Sequence, residues 1–279
     1  MRSGDPKVAQ LTLEQTRRLF LSVFTSLEEQ GYFQESMGFS CVDAGEVPGS
    51  MGQDIGAYLL RKLRKDHLWP IRDQALAYSR EDLFDVVELL HDHVSAPKDG
   101  DYHSFSDCGW HYKRFNSLEG RKRYRVEINE FLRDFEDGYE LDAKGEVVLS
   151  GREGLHDLLE RPLPASVDPV DARVKAAVRK YRSRQSTPND RRDAVRDLAD
   201  VLEFLRPQLQ TVLSRKDESD LFNIVNNFGI RHHNKLQKSD YDPVWLSWLF
   251  YYYLAAVHAV TRLVGSRASE PSETRGGGP

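Results

Sequence analysis

The longest apolar segment of the chain, VWLSWLFYYYLAAVHAVTRLV, extends from Val244 to Val264. It is nearly long enough to cross a bilayer as a helix, which needs about 20 predominantly apolar residues. However, the segment carries Ser247, His258, Arg262 and three consecutive tyrosines, and the sequence offers no second candidate of this kind. We therefore predict a helix that is buried in a core or a dimer interface, with no membrane span.

A stripe of apolar residues at spacings of three and four precedes that segment. It consists of Val195, Leu198, Leu202, Leu205, Leu209 and Val212. This spacing places all of them on one face of a helix. A basic helix lies before the stripe, a shorter helix ends at Gly229, and Asp242-Pro243 provides an N-cap and a first-turn proline for the apolar segment. The C-terminal part is therefore predicted to be a bundle of about four helices.

The N-terminal part is predicted to be helical with one small β-hairpin. Apolar periodicity predicts helices after Thr12 and after Ser79, whereas glycines interrupt residues 32–54 and predict a structured loop there. The segment GYELDAKGEVVL predicts the hairpin. The fold class is thus mainly α. The expected organisation is a disordered terminus over 1–10, a helical domain over 11–160 with the hairpin near 138–149, a linker at 161–170, the bundle over 171–265 and a disordered tail over 266–279.

Composition and motifs limit the classes of function. The net charge is −5, so contact with nucleic acid has to come from a local basic cluster. The two cysteines are far apart and form no CxxC pair, which fits a reducing cytoplasm and no disulfide framework. The N-terminus has no apolar run that would predict a secretory signal. Neither a phosphate-binding glycine loop nor a GxSxG or HExxH motif occurs.

Between the last two predicted helices, the chain places five polar residues consecutively: Arg231, His232, His233, Asn234 and Lys235. An arginine offers a planar fork of donors for a phosphate, and a histidine can take a proton from one group and give it to another. Together they are the minimum set for cleaving RNA without a metal, with the ribose 2′-hydroxyl as the nucleophile. The alternative is a hydrogen-bonded turn that ties two helices together.

A second polar cluster lies in residues 171–192, where eight Arg or Lys residues accompany two Asp residues, with Tyr181 among them. In an acidic chain this is a local positive field that could follow an RNA backbone. The candidate RNA-binding residues are Lys175, Arg179, Lys180, Arg182, Arg184 and, from the neighbouring loop, Lys235. The alternative is a solvated helix face whose cations pair with carboxylates elsewhere.

Three residues that zinc accepts as ligands, His103, Cys108 and His111, follow one another at spacings of five and three. A structural zinc site needs four ligands, and the sequence shows no accompanying pair of cysteines, although His91 or His93 could complete the set. The pattern favours a polar loop with a buried thiol. We therefore predict no metal ligands and no cofactor.

The segment DESDLFNIVNNFGIRHHNKLQKSDYDPVWLSWLFYYYLAAVHAVTRLV places a polar Arg/His/Asn loop before the last helix of a four-helix unit. In this it resembles the HEPN superfamily, and more specifically the C-terminal region of bacterial abortive-infection (phage-defence) proteins. The segment from CGWHYKRF to GYELDAKGEVV also resembles the region that precedes such domains. The resemblance covers residues 100–265.

HEPN domains are typically dimers with paired Arg/His motifs at the interface, and many are RNases. The family motif is an Arg followed, after four to six residues, by a His. Arg231 matches, and His232 suits the polar position after it, but residues 236–238 are Leu, Gln and Lys where the downstream His is expected. Two interpretations follow from this departure. His233 takes the role with altered geometry, or the domain has kept the fold for binding.

The expected function is that of a phage-defence or toxin-type HEPN ribonuclease, which cleaves RNA such as tRNA without a metal at a dimer-interface site. Arg231 would bind the scissile phosphate, while His232 or His233 would act as base and acid and Asn234 would orient them. The alternative is a non-catalytic HEPN-like module that binds a partner protein or RNA in a defence system. We expect a cytoplasmic homodimer formed through the C-terminal bundle, with a phage-derived trigger or a neighbouring defence protein as a further partner.

Overall fold

The computed structural model describes residues 10–151, 155–163, 168–210, 214–219, 222 and 243–268. The chain divides into two compact units, Met1–Ser150 (unit 1) and Gly151–Pro279 (unit 2). Each unit has an apolar core of its own. The division lies N-terminal to the linker predicted at 161–170. The disorder predicted for residues 1–9 and 269–279 lies outside the described residues.

The helices of unit 1 begin where polar residues cap them. Thr12 caps α1 through a reciprocal pair of hydrogen bonds with Gln15, and Ser79 caps α5 in the same way with Asp82. Such capping boxes satisfy N–H groups that the first turn of a helix leaves without partners. The helices are α1 (Leu13–Glu29), α2 (Gln34–Met37), α3 (Ile55–Leu63), α4 (Ile71–Gln74), α5 (Arg80–His93) and α6 (Ser117–Leu132).

Three antiparallel hairpins complete unit 1. They pair β1 (Phe39–Cys41) with β2 (Gly45–Val47), β3 (Ala96–His103) with β4 (Gly109–Asn116), and β5 (Tyr139–Leu141) with β6 (Val147–Leu149). The β5–β6 pair is the hairpin predicted near 138–149. The β1–β2 hairpin lies in the segment predicted to be a structured loop, and the β3–β4 hairpin contains the segment predicted to be a polar loop, so the sequence analysis missed both hairpins. Strands β1 and β2 have three residues each, and β3 (APKDGDYH) lacks the alternation of apolar residues that marks a strand.

Unit 2 is helical in all its named elements. It contains α7 (His156–Glu160), α8 (Asp168–Arg182), α9 (Pro188–Leu209) and α10 (Pro243–Ala268). Helices α8 and α10 both pack on α9. The predicted stripe on α9 is confirmed, because Val195, Leu198, Leu202, Leu205 and Leu209 are all buried. Val212, the last member of the stripe, lies outside the described residues.

Helix α10 contains the apolar segment that begins at Val244. Among the described helices, α10 is long and apolar enough to cross a membrane. However, half of its most apolar stretch is buried inside the protein. Phe250, Tyr253 and Val257 are fully buried in the core of unit 2, while Trp245 and Trp248 remain exposed. The predicted burial of this helix in a core is confirmed. Helix α10 also continues beyond Gly265, where a disordered tail was predicted.

The mainly helical fold class is confirmed, together with small two-stranded sheets. The four-helix bundle of HEPN type stays a prediction, because most of the chain between α9 and α10 lies outside the described residues.

Candidate metal centre

Four potential metal ligands converge at the ends of two hairpins in unit 1. Cys41 ends β1, His103 ends β3, Cys108 directly precedes β4, and His111 lies within β4. Their ligand atoms, two sulfurs and two imidazole nitrogens, all lie within 4.8 Å of one another. Cys41 and Cys108 are the only cysteines in the sequence. The fold has therefore brought both thiols of the chain to one place.

A glutamine side chain explains how the two hairpins come together. Gln34, on α2 just before β1, donates its Nε2–H to the carbonyl of Trp110 at 2.9 Å. Its Oε1 accepts the backbone N–H of Tyr112 at 2.6 Å. These two bonds hold β4 next to the segment that leads into β1. As a result, His111, which lies between the two bonded residues on β4, is positioned close to Cys41.

The distances between ligand atoms suit a tetrahedral ion. The Sγ of Cys41 is 3.7 Å from Nδ1 of His103, and the Sγ of Cys108 is 3.2 Å from Nε2 of His111. In a tetrahedral zinc site with Zn–S of about 2.3 Å and Zn–N of about 2.0 Å, sulfur and nitrogen ligands lie about 3.5 Å apart. The two observed distances lie on either side of this value. The remaining pairs of ligand atoms also lie within 4.8 Å of one another.

The backbone around Cys41 favours a thiolate. Backbone hydrogen bonds from Ala44 and Asp43 to the sulfur lower the pKa of Cys41. The tight turn that directs these N–H groups to the sulfur is completed by Gly45, whose φ of +70° is a conformation that glycine adopts without strain. Because the thiolate is the form that binds metal, this turn prepares Cys41 as a ligand.

The histidine ligands are held by neighbouring side chains. His103 directs Nδ1 to Cys41, and its Nε2 lies 3.3 Å from Oδ2 of Asp43. A carboxylate behind a metal-binding imidazole fixes the orientation of the ring and increases its basicity. The ring of Phe39 stacks on His111, with 4.3 Å between the ring centroids. Both imidazoles are therefore oriented by residues of the β1–β2 hairpin.

The two thiols influence each other. A backbone hydrogen bond from Val42 lowers the pKa of Cys108, but burial and the neighbouring Cys41 raise it, and the net shift is upwards. Two adjacent thiolates repel each other unless a cation lies between them. Thiols that coordinate zinc are deprotonated. The positive charge of a dication bound to both sulfurs compensates their negative charges and so removes that repulsion.

The sequence predicted no metal ligands, whereas the structure brings four potential ligands together. His103, Cys108 and His111 do come together, but neither His91 nor His93 joins them. His91 is buried on α5, and His93 forms a hydrogen bond of 2.9 Å with the hydroxyl of Tyr58. The fourth potential ligand is Cys41, which the sequence analysis did not connect with these residues. The available signal was the glycine-containing turn CVDAG, since a cysteine followed by such a turn is suited to metal binding.

The predicted catalytic residues Arg231, His232, His233 and Asn234, together with Lys235, lie outside the described residues. The predicted RNA-binding residues of α8 and the turn after it are described. Lys175 forms an ion pair with Asp171, and Lys180 with Asp197, both at 2.5 Å. Arg182 is buried and lies 3.3 Å from Glu160, Arg184 is half-buried, and Arg179 is exposed. Tyr181 is stacked on Phe250 in the core, with 3.8 Å between the ring centroids.

Comparison of the chain with protein-family models, curated proteins and solved structures found no match. The resemblance to the HEPN superfamily therefore stays an expectation from the sequence. The function has to be inferred from the geometry of the chain itself.

Proposed function

We propose that unit 1 is a zinc-binding module and that Cys41, His103, Cys108 and His111 hold the ion. One observation carries this proposal, namely the convergence of two thiols and two imidazoles within 4.8 Å. Cys41 and His103 are 62 residues apart in the sequence. Mixed cysteine and histidine ligands in fours are typical of structural zinc sites. A reducing compartment such as the cytoplasm fits the proposal, because it keeps both thiols available as ligands.

The site supports a structural role for the ion. Catalytic zinc sites have three protein ligands and leave one position for water or substrate, whereas four protein ligands close the coordination sphere. A two-stranded hairpin is marginally stable by itself, and β1 and β2 have three residues each. Zinc would join this hairpin to the longer β3–β4 hairpin and so stabilise both.

The proposal is tested by metal analysis of the purified full-length protein. We expect one equivalent of zinc per chain after dialysis, and a loss of most of this zinc in Cys108→Ser and in His111→Asn. The matched control is His67→Gln, because His67 is an exposed histidine in unit 1 that lies outside the cluster. If the wild-type protein takes up no equivalent of zinc even when zinc is supplied, the proposal is wrong.

We also propose, as a second candidate function, that unit 2 is the HEPN-like ribonuclease expected from the sequence. The exposed indoles of Trp245 and Trp248 on α10 support it, since a HEPN site requires two copies of the bundle to associate. Exposed aromatic residues next to each other on one helix face are typical of association surfaces. The partners would be RNA such as tRNA, a second copy of the chain, and a phage-derived trigger or a neighbouring defence protein.

This second proposal is tested in infected and uninfected cells that express the wild type, Arg231→Ala or His233→Ala. We expect growth arrest and tRNA fragments with the wild type and with neither of these two variants. The matched control is Arg215→Ala, which removes an exposed arginine from the same unit. Equal phenotypes for all four proteins during infection, with intact RNA, would exclude the ribonuclease. In that case, RNA binding without cleavage would favour the alternative of a non-catalytic binding module.

A further inference from the structure

A cavity of about 700 Å³ lies along helix α6 of unit 1, away from the metal centre. Most of its wall belongs to α6, and the remainder includes His91 from α5 and Ala143 from the turn between β5 and β6. Sites for small molecules in proteins have volumes of about 300–1,000 Å³. The charged residues that line it are Arg121, Lys122, Arg125 and Arg133, with Glu130 as the carboxylate among them.

These four cations have no carboxylate partner among the residues that the structure describes. Within the part of the chain that the structure describes, none of them forms an ion pair. By contrast, Arg123, which is on the same helix but does not line the cavity, does form one. Arg123 binds Glu127 at 2.8 Å and donates a hydrogen bond to the hydroxyl of Tyr32 at 2.9 Å. In a chain with a net charge of −5, the wall of the cavity is therefore a local positive field.

The floor of the cavity holds a buried imidazole that forms no hydrogen bond with the described part of the chain. His91 is 2% exposed, and neither of its ring nitrogens has a hydrogen-bond partner among the described residues. Its Nδ1 is 3.6 Å from Oδ1 of Asp92, which is too far for a hydrogen bond. The buried Nε atoms of Arg121 and Arg125 are likewise without partners. Buried polar atoms without hydrogen bonds lower the stability of a fold. A ligand with many acceptor atoms would form hydrogen bonds with these nitrogens and so remove that cost.

The protonation state of His91 allows its imidazole ring to donate a hydrogen bond to a ligand. Burial, followed by the positive charge of Arg121, lowers the pKa of His91, so its ring is neutral near pH 7. A neutral imidazole offers one N–H donor and one acceptor nitrogen. Arg121 and Arg125 lie one helical turn apart, about 6 Å along the axis, a separation that suits two phosphate groups of one molecule.

We propose that this cavity binds a nucleoside phosphate. The phosphate groups would lie against Arg121, Arg125 and Arg133, since a guanidinium presents the fork of donors that a phosphate accepts. The nucleoside would pack on Leu118, beyond Arg121 at the same end of the helix, which is 80% exposed at the cavity although it is apolar. An inorganic polyphosphate could use the cations but would leave this side chain uncovered.

The test is isothermal titration of the zinc-loaded full-length protein with ATP, GTP, CTP and UTP, and with tripolyphosphate for comparison. We expect one equivalent of at least one nucleotide to bind, at least tenfold more tightly than tripolyphosphate. Arg125→Gln and Arg133→Gln should each weaken binding at least tenfold. Arg18→Gln, which removes an exposed arginine of α1 outside the cavity, should leave the affinity unchanged.

A second variant separates binding from folding. His91→Phe removes two unpaired buried nitrogens, so its melting temperature should equal or exceed that of the wild type while nucleotide affinity falls. The proposal is overturned if no nucleotide binds at millimolar concentration, or if tripolyphosphate binds as tightly as the nucleotides. It is also overturned if the arginine variants bind like the wild type, or if a short single-stranded RNA binds the same residues at least tenfold more tightly than any mononucleotide.

Discussion

The carboxylate behind His103 provides a quantitative test of the metal centre. Asp43 places Oδ2 3.3 Å from Nε2 of His103, while Nδ1 of the same ring faces Cys41. Loss of such a carboxylate lowers metal affinity about 10- to 100-fold in proteins. The side chain of Asp43 is 74% exposed, so water and salt screen its charge. We therefore expect Asp43→Asn to weaken zinc binding about tenfold, which corresponds to about 1.4 kcal/mol.

The assay is a competition titration, in which a chromophoric chelator removes zinc from the wild type and from each variant. The matched control is Glu46→Gln, since Glu46 is an exposed carboxylate on β2 of the same hairpin and outside the ligand cluster. Asp43→Asn should release zinc to the chelator at a lower chelator concentration than Glu46→Gln. If both variants retain the affinity of the wild type, Asp43 does not support His103 and the proposed orientation of the ring is wrong.

Three further predictions concern stability. Burial raises the pKa of Asp82, but hydrogen bonds that include one from Lys65 outweigh it and hold the pKa well below its ordinary value. The resulting stabilisation is present above the unfolded pKa of about 3.9 and is lost as the pH falls towards the folded pKa. Asp82→Asn should therefore lower the free energy of unfolding by about 2 kcal/mol at pH 7, and the difference should shrink below pH 4. Tyr78→Phe removes the buried hydroxyl that donates to the carbonyl of Leu68 at 2.5 Å, and should cost about 1–2 kcal/mol in a denaturant titration. Phe250→Ala should cost about 3–5 kcal/mol in unit 2 without changing the zinc content, because its core is separate from that of unit 1.

Controls distinguish these effects from general damage to the fold. Asp85 also pairs with Lys65, at 2.8 Å, but its side chain is more exposed than that of Asp82, so Asp85→Asn should cost less. An Asp82→Asn variant that keeps full stability at pH 7 would contradict the electrostatic explanation. A Phe250→Ala variant that loses its zinc would show that the two cores are coupled.

Local patterns were enough to predict the regular helices. The helices after Thr12 and after Ser79 and the stripe on α9 depend on residues within a few positions of one another, and the structure confirms these helices and the described part of the stripe. The β1–β2 and β3–β4 hairpins could not be predicted in this way. Their strands are short or polar, and backbone pairing together with the bonds from Gln34 holds them in place.

The metal centre was not predicted, for the same reason. His103, Cys108 and His111 are close in the sequence and were noted as a group, but three residues alone favoured a polar loop. The fourth, Cys41, reaches them only through contacts between distant segments. No spacing rule relates residues on two separate hairpins. The cavity on α6 could not be predicted either, because the sequence does not show which of the arginines in the chain lack a carboxylate partner. The Arg231 loop stays a prediction.

X-ray absorption at the zinc K-edge of the full-length protein tests the central claim most directly, because it measures the atoms around the ion. The proposed site predicts two sulfur ligands at about 2.3 Å and two nitrogen ligands at about 2.0 Å. Replacement of Cys41 by serine should reduce the sulfur count from two to one. A spectrum with only oxygen and nitrogen ligands, or one that Cys41→Ser leaves unchanged, would contradict the assignment of this cluster as a zinc site.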